Sequence, residues 1–244
     1  AAQVRATGQL GHRDAQRLVN QDRNVFGACM IAPGHADGMV TGVTRNYATA
    51  LKDILYALNP AKGSRLLGMS MVISRGRTIF IADTNVTEMP DAPDLAQIAV
   101  QAAHAARRLG ATPRVAFLSF STFGNPEGER MRKVQDAVSL LDRRDDIDFE
   151  YDGDMSPDVA LNPDARRLYP FLRLSAEANV LIMPAIHSAW ISTSLLATLG
   201  DATVIGPVLV GLDAPVQIAP LGATVSDIVA FATIAAFDAA SKPG

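Results

Sequence analysis

The chain is poor in the residues that most often announce a chemistry. It holds one cysteine, Cys29, in 244 residues, which excludes an internal disulfide and fits a reducing, cytoplasmic setting. Within Phe26-Gly27-Ala28-Cys29-Met30-Ile31 it reads as a small core residue. The four histidines are scattered at 12, 35, 104 and 187, and His104, in an Ala-rich helix, reads as a packed side chain rather than a base. Basic charge is not in excess: 22 Lys and Arg stand against 25 Asp and Glu. Basic residues cluster no further than short pairs such as Arg143-Arg144 and Arg166-Arg167, so no nucleic-acid partner is expected. No apolar run reaches the roughly 20 residues of a membrane span, so no membrane partner is expected either. The longest, 228–237, is broken by Thr233 and apolar all round, the pattern of a core helix or a subunit contact. There is no signal-peptide pattern and no G-x-x-x-x-G-K-[ST], G-x-G-x-x-G, H-E-x-x-H or G-x-S-x-G, which removes the key residues of kinase, dinucleotide-binding, zinc-protease and hydrolase readings. The opening AAQVRATGQLGHRDAQ has neither an initiator Met nor a strand pattern, and a fragment of a longer protein is the expectation.

What is present is a core. With 48% hydrophobic residues and a mean hydropathy of +0.14, the chain buries enough for one large or two small domains. Helical patterns over 14–30, up to about 58, from Pro93 to Arg108, 129–143 and 188–199 alternate with short apolar runs at 38–42, 114–119, 179–183 and 208–210. Two further runs, 69–73 and 78–82, flank Ser74-Arg75-Gly76-Arg77, a hairpin signal. Gly110 is expected in the left-handed position that ends a helix. Buried runs such as VLIM and VLVGL alternating with helices indicate an α/β fold with mixed, mainly parallel sheets covered on both faces.

Four stretches offer chemistry. Residues 206–228, GPVLVGLDAPVQIAPLGATVSDI, combine buried strands, tight turns and a capping box in which Thr224 precedes Asp227 by three. A strand, a Gly222 loop and a helix start in that order are a place for an anion. Ser119-Phe120-Ser121-Thr122-Phe123-Gly124 ends a strand in hydroxyl groups and a glycine, where α/β sheets bind ligands, though such loops also merely cap the next helix. Asp152, Asp154 and Asp158 could approach a hard cation, but a solvated acidic loop is the favoured reading. Arg75 and Arg77 would suit phosphate; a charged hairpin tip is usually just exposed.

Several segments in order, GHADGMVTG, IADTNV, PRVAFLSFST, GPVLVGLDAP and residues 222–228, resemble the phosphotransacetylase family over nearly the whole chain. More narrowly, VNQDRNVFGACM, GVTRNYATAL, FEYDGDM with DVALNP, and MPAIHSAWIST resemble the phosphotransacetylase-like C-terminal part of the large bacterial NADP-dependent malic enzymes. The resemblance implies two three-layer α/β/α subdomains, residues 1–63 plus 206–244 and residues 64–205, with an acyl-CoA cleft between them. It implies acetyl-CoA as an effector, upstream malic-enzyme domains carrying NADP and Mg²⁺ or Mn²⁺, a homodimer or higher oligomer, and no cofactor or metal in this stretch.

The departures bear on activity. Active transacetylases carry Ser-Arg-Gly where this chain has Pro220-Leu221-Gly222, so the arginine that would hold phosphate or the thioester carbonyl is a leucine. Other family arginines correspond to Lys52 and Thr198, and Trp190 stands where malic-enzyme relatives carry a small or amide residue. A positioned cation is commonly worth a factor of about 10² to 10³ in rate. A catalytically silent, degenerate site at Pro220, Leu221 and Asp227 is therefore expected, with Asp227 a helix cap rather than a base. The candidate acyl-CoA residues are Arg45 and Tyr47, for a diphosphate and an adenine or acyl group, with Lys52, Ser119, Ser121, Thr122, Gly124, Gly206, Pro207 and Asp227. An active phosphate acyltransferase and a purely structural oligomerisation module are the alternatives.

Overall fold

A computed structural model describes residues 11–126 and 128–241. The chain divides into two units, Ala1–Leu66 with Ile205–Gly244, and Leu67–Val204. Each is an α/β arrangement.

In the first unit, β1 (Met39–Gly42) and β8 (Val216–Ala219) pair in parallel from Met39 opposite Val216 to Gly42 opposite Ala219. Helix α9 (Val225–Ala240) packs on both strands. Gly42 has φ +113, and a Cβ there would lie 2.0 Å from the Ala219 carbonyl oxygen, so only glycine lets the strands close at this point. All four residues of β8 are buried. Gln217 is the polar one, and its amide accepts from Leu209 N at 2.9 Å and donates to Leu209 O at 3.2 Å, serving as a strand neighbour for β7 (Thr203–Val210). That strand runs through Gly206-Pro207, which the sequence marks as a boundary.

The single helix expected over 14–30 is two, α1 (His12–Gln21) and α2 (Arg23–Ile31). The break is Asp22, whose extended backbone and carboxylate accepting from the Asn24 and Val25 N–H groups make it the N-cap of α2. Val25, Ala28 and Ile31 form the buried stripe of α2, while Phe26 and Met30 are exposed and Cys29 is half-buried. Helix α3 (Tyr47–Ile54) follows β1 and is capped by Asn46. The core-helix reading of 228–237 also changes. Only Phe231, Ile234 and Ala235 of α9 are buried, and Val225, Val229 and Phe237 are exposed. The absence of a strand pattern at the chain start concerns residues that mostly lie outside the described ones.

The second unit is built on a six-stranded sheet with order β5-β4-β6-β3-β2-β7, closed by the start of β7. β2 (Leu67–Ser74) and β3 (Arg77–Ala82) form the antiparallel hairpin, turning at Arg75 and Gly76, both left-handed with φ 50° and 73°. β3, β6 (Val180–Ile182), β4 (Arg114–Leu118) and β5 (Glu150–Met155) run parallel. Alternation along the strands sends Ile81, Ala116, Leu118 and Leu181 into one core with α6 (Pro157–Leu161) and α8 (Ile186–Leu199). Phe80, Val115, Phe117 and Val180, also fully buried, point to the opposite face. There α4 (Ala92–Arg108) and α5 (Glu129–Leu141) pack on each other and on the sheet. Gly110 is left-handed, φ 89°. His104 is exposed on α4 rather than packed.

The solvated acidic loop expected from Asp152 is instead β5 followed by α6 and α7 (Pro163–Arg166). Asp152 and Asp154 are buried, at 3% and 0% exposure, each paired with donors: Asp152 with Arg173 N at 2.7 Å, Asp154 with Ser121 and Gln135. Strand alternation hid this for Asp152, which lies opposite Ala116 where an apolar residue is expected, while a register shift after Phe117 sets Met155 rather than Asp154 opposite Leu118. Among the described residues, no helix is long and apolar enough to cross a membrane.

Candidate functional site

The parallel pairing of β1 and β8 puts the loops that follow them side by side at one end of the first unit, and Val43 N donates to Ala219 O at 3.1 Å. The first of these loops carries Arg45. Its guanidinium bridges Asp22 and, at 2.8 Å, Asp53 of α3. Asp53 also accepts from Asn24 Nδ2 at 3.0 Å, and Thr41 Oγ1 donates to Asn24 Oδ1 at 2.5 Å. Burial pushes the Asp22 carboxyl up, but the Arg45 hydrogen bond and the N–H groups of Val25 and Asn24 outweigh it and hold Asp22 below the usual carboxylate range. The hydrogen bond that Arg45 donates to Asp22 is likewise the main reason that Arg45 is held above its ordinary value. Arg45, expected to meet a diphosphate, thus already faces two carboxylates. Tyr47, at the first turn of α3, is buried, and Lys52 on the same helix is exposed.

The loop after β8 turns at Gly222, φ 78°, and leaves Leu221 61% exposed. An apolar side chain standing in water gains nothing from burial, so packing does not explain this leucine. Thr224 and Asp227 form a complete capping box: Thr224 N and Oγ1 reach Asp227 Oδ2 at 2.8 and 2.7 Å, and Asp227 N donates to Thr224 Oγ1 at 3.2 Å. The helix start that could receive an anion is served by its own side chains. Gly206 and Pro207 lie half-buried within β7.

In the second unit, the parallel strands place the residues after β3, β4, β5 and β6 along one edge of the sheet. Ser119, Ser121, Thr122 and Gly124 follow β4 there. Ser121 is fully buried and donates to Asp154 Oδ2 at 2.5 Å, while Gln135 Nε2 reaches Oδ1 at 3.0 Å. Thr122 Oγ1 donates to Ser156 Oγ at 2.9 Å and accepts from Ser156 N at 3.1 Å. Phe123 and Gly124 are left-handed, φ 48° and 88°, which closes the loop through Thr122 and Asn125. Of the hydroxyls here, Ser119 alone is half-exposed without a side-chain acceptor; its Oγ accepts from Ser121 N at 3.3 Å. Phe120 is 66% exposed.

Two features of this edge escape sequence reasoning. Asp83, at 2% exposure, accepts from four backbone N–H groups, Gly68, Asn85, Val86 and Thr87, so the turn after β3 holds its own anion. Phe123, Tyr169 and Phe171 form an aromatic cluster with centroids 4.9 to 6.1 Å apart; the density of aromatics in LYPFL was the available signal. Among the described residues no three His, Cys, Asp or Glu gather as a metal ion needs.

Comparison with known proteins matches the phosphate acetyl/butaryl transferase family over residues 2–236. An NADP-dependent malic enzyme from Rhizobium meliloti is 58% identical over 93% of this chain but only 30% of its own length; this chain spans less than a third of that relative. A phosphate acetyltransferase from Bacillus subtilis is 31% identical over 96% of this chain and 73% of its own length. Among solved structures, a phosphotransacetylase from Streptococcus pyogenes superposes with a TM-score of 0.89 at 29% identity, covering 99% of this chain and 74% of that one.

Proposed function

This chain belongs to the phosphate acetyl/butaryl transferase family, and we propose that within it the chain is a non-catalytic acyl-CoA sensor. In this reading it is the regulatory and oligomerising part of a cytoplasmic NADP-dependent malic enzyme that converts malate to pyruvate. The 58% identity to such an enzyme over nearly all of this chain supports the parent. NADP and Mg²⁺ or Mn²⁺ chemistry would then reside in its other domains, since the described residues offer no cluster that fits the metal.

The observation that carries the silent reading is the loop after β8. The carboxylate that would act as a base, Asp227, is held by Thr224 in a capping box, and the neighbouring position that would supply a cation is exposed Leu221. A base already accepting two hydrogen bonds, with no cation beside it, neither takes a thiol proton readily nor stabilises developing charge. Ser119, half-exposed after β4, remains as a polar contact for a CoA ester in the second unit. Binding without turnover is useful if acetyl-CoA prefers one of two parent conformations, a coupling commonly worth about 5- to 150-fold in affinity.

The alternative, an active phosphate acetyltransferase, draws on the 31% identity to such an enzyme. Acetyl phosphate formation from acetyl-CoA and phosphate separates the two. The native chain is expected to give none above buffer, and Leu221→Arg to give a measurable rate. Native turnover near the common range of about 1 to 10³ s⁻¹ would overturn the silent reading, and an inactive Leu221→Arg protein that binds acetyl-CoA would show that this position does not silence the site.

A further inference from the structure

The second unit has a cleft at the edge of its sheet opposite the loops just described, where β3, β6 and β4 begin. It encloses about 390 Å³ and is lined by Arg77, Thr78, Arg114, Glu177 and Asn179 among others. The strands explain why two arginines meet here. β6 lies between β3 and β4, and Arg77 and Arg114 are the first residues of the outer two. The register sets Arg114 level with Ile79, two residues past Arg77, so the backbones lie two strand spacings apart across the sheet and about 6.6 Å apart along it, roughly 11.5 Å in all, within reach of two guanidinium groups turned toward each other.

Both arginines are held in place by backbone carbonyls rather than by acids. Arg77 Nη1 donates to Leu161 O at 3.2 Å, which lays the side chain over α6 instead of leaving it at a free hairpin tip. Arg114 Nε donates to Glu177 O at 2.7 Å, which orients the plane and leaves both Nη groups for another acceptor. Asn179 fixes this turn by accepting from Arg114 N at 2.7 Å and donating to Thr112 O at 2.8 Å. Neither arginine pairs with a carboxylate within 4.0 Å among the described residues, in contrast to Arg45, Arg107, Arg144 and Arg173, each of which does. A carbonyl offsets part of a hydrogen-bonding demand but none of a full charge, so two positive groups share one cleft with the Glu177 carboxylate, while Glu150, opposite Arg114 on β5 and hydrogen-bonded to Ser175, offsets part of the Arg114 charge from the neighbouring strand.

We propose that this cleft is an anion site for a diphosphate group, with Arg77 and Arg114 gripping its two ends. Planar guanidinium edges suit phosphate oxygens in pairs, and the separation of the two arginines favours two linked anionic groups over one. Free pyrophosphate and a nucleoside diphosphate share this chemistry. The site is separate from the candidate acyl-CoA residues and does not rest on that reading.

Calorimetric titration of the chain with pyrophosphate, ADP, inorganic phosphate and succinate at matched ionic strength tests it. Pyrophosphate is expected to bind at least 10-fold more tightly than inorganic phosphate or succinate, and to weaken as salt rises. Binding of ADP as tight as that of pyrophosphate identifies a nucleotide as the occupant, and its failure to bind identifies the free anion. Arg77→Gln and Arg114→Gln are each expected to weaken pyrophosphate at least 10-fold. Glu177→Gln, which keeps the backbone carbonyl that Arg114 uses, is expected to strengthen binding several-fold. Absence of saturable pyrophosphate heat, indifference to Arg77→Gln, weakening by Glu177→Gln, or preference for succinate would each overturn the proposal.

Discussion

Arg45, on the loop after β1, faces two carboxylates, whereas Arg77 and Arg114, at the starts of β3 and β4, face backbone carbonyls. All three are arginines near a strand end, and Arg45 and Arg77 read in sequence as possible anion anchors, whereas Arg114 marks only the start of a strand. The difference lies in what else converges. Asp22 is placed by its duty as the cap of α2 and Asp53 by the buried face of α3, and both arrive at Arg45 as a by-product of helix geometry. At the cleft the helices contribute only chain ends. An arginine's availability to a ligand is thus decided by residues far along the chain, and motif position alone does not determine it.

That contrast can be broken from either side. The largest effect is expected from Gly42→Ala, because the new methyl would meet the Ala219 carbonyl oxygen at 2.0 Å on a backbone with φ +113. Destabilisation of at least about 3 kcal/mol in urea unfolding is expected, with the Arg45 loop displaced from its acids. Next, Asp22→Ala removes both a cap and an ion pair, and the cap alone costs about 1 kcal/mol. Asp22→Asn keeps a capping oxygen and loses only the charge, so it should cost less. Because the folded state holds the Asp22 carboxyl below its unfolded value of about 3.9, the pair's contribution is present above that pH and is lost as pH falls through the folded value. The gap in thermal stability between native protein and Asp22→Asn is therefore expected to be full at pH 7 and to close below about pH 4; a gap that persists in acid would mean the charge is not its source. The smallest effect is expected from Arg77→Gln, within about 0.5 kcal/mol, since no ion pair is lost. A larger loss would show that the cleft arginine is structural after all.

Periodicity was a good guide where one face is buried and the other wet. The hairpin at Arg75-Gly76, the left-handed Gly110, the strands 114–118 and 180–182 and the capping box at Thr224 and Asp227 all follow from local rules that the structure obeys. Local rules failed where a polar residue had a distant partner. Asp22 reads as a tolerated helix interior residue but ends a helix, and Asp152 and Asp154 read as solvated but lie inside a sheet because Arg173, Ser121 and Gln135 meet them from 19 to 33 positions away. The hydroxyl row at 119–122 was recognisable as a strand-end loop, yet the inward turn of Ser121 and Thr122 depends on β5, which the acidic composition disguised. Gly206-Pro207 read as a stop although β7 continues through it. The family resemblance supplied what composition did not, because it compared whole segments rather than single residues.

The central claim is binding without acyl transfer, and one sample tests both halves. Acetyl-CoA is titrated into the chain by calorimetry, and acetyl phosphate is measured in the same protein supplied with phosphate. Saturable heat with no acetyl phosphate is the expected result. Either acetyl phosphate at an enzymatic rate or no saturable heat at all would contradict the account.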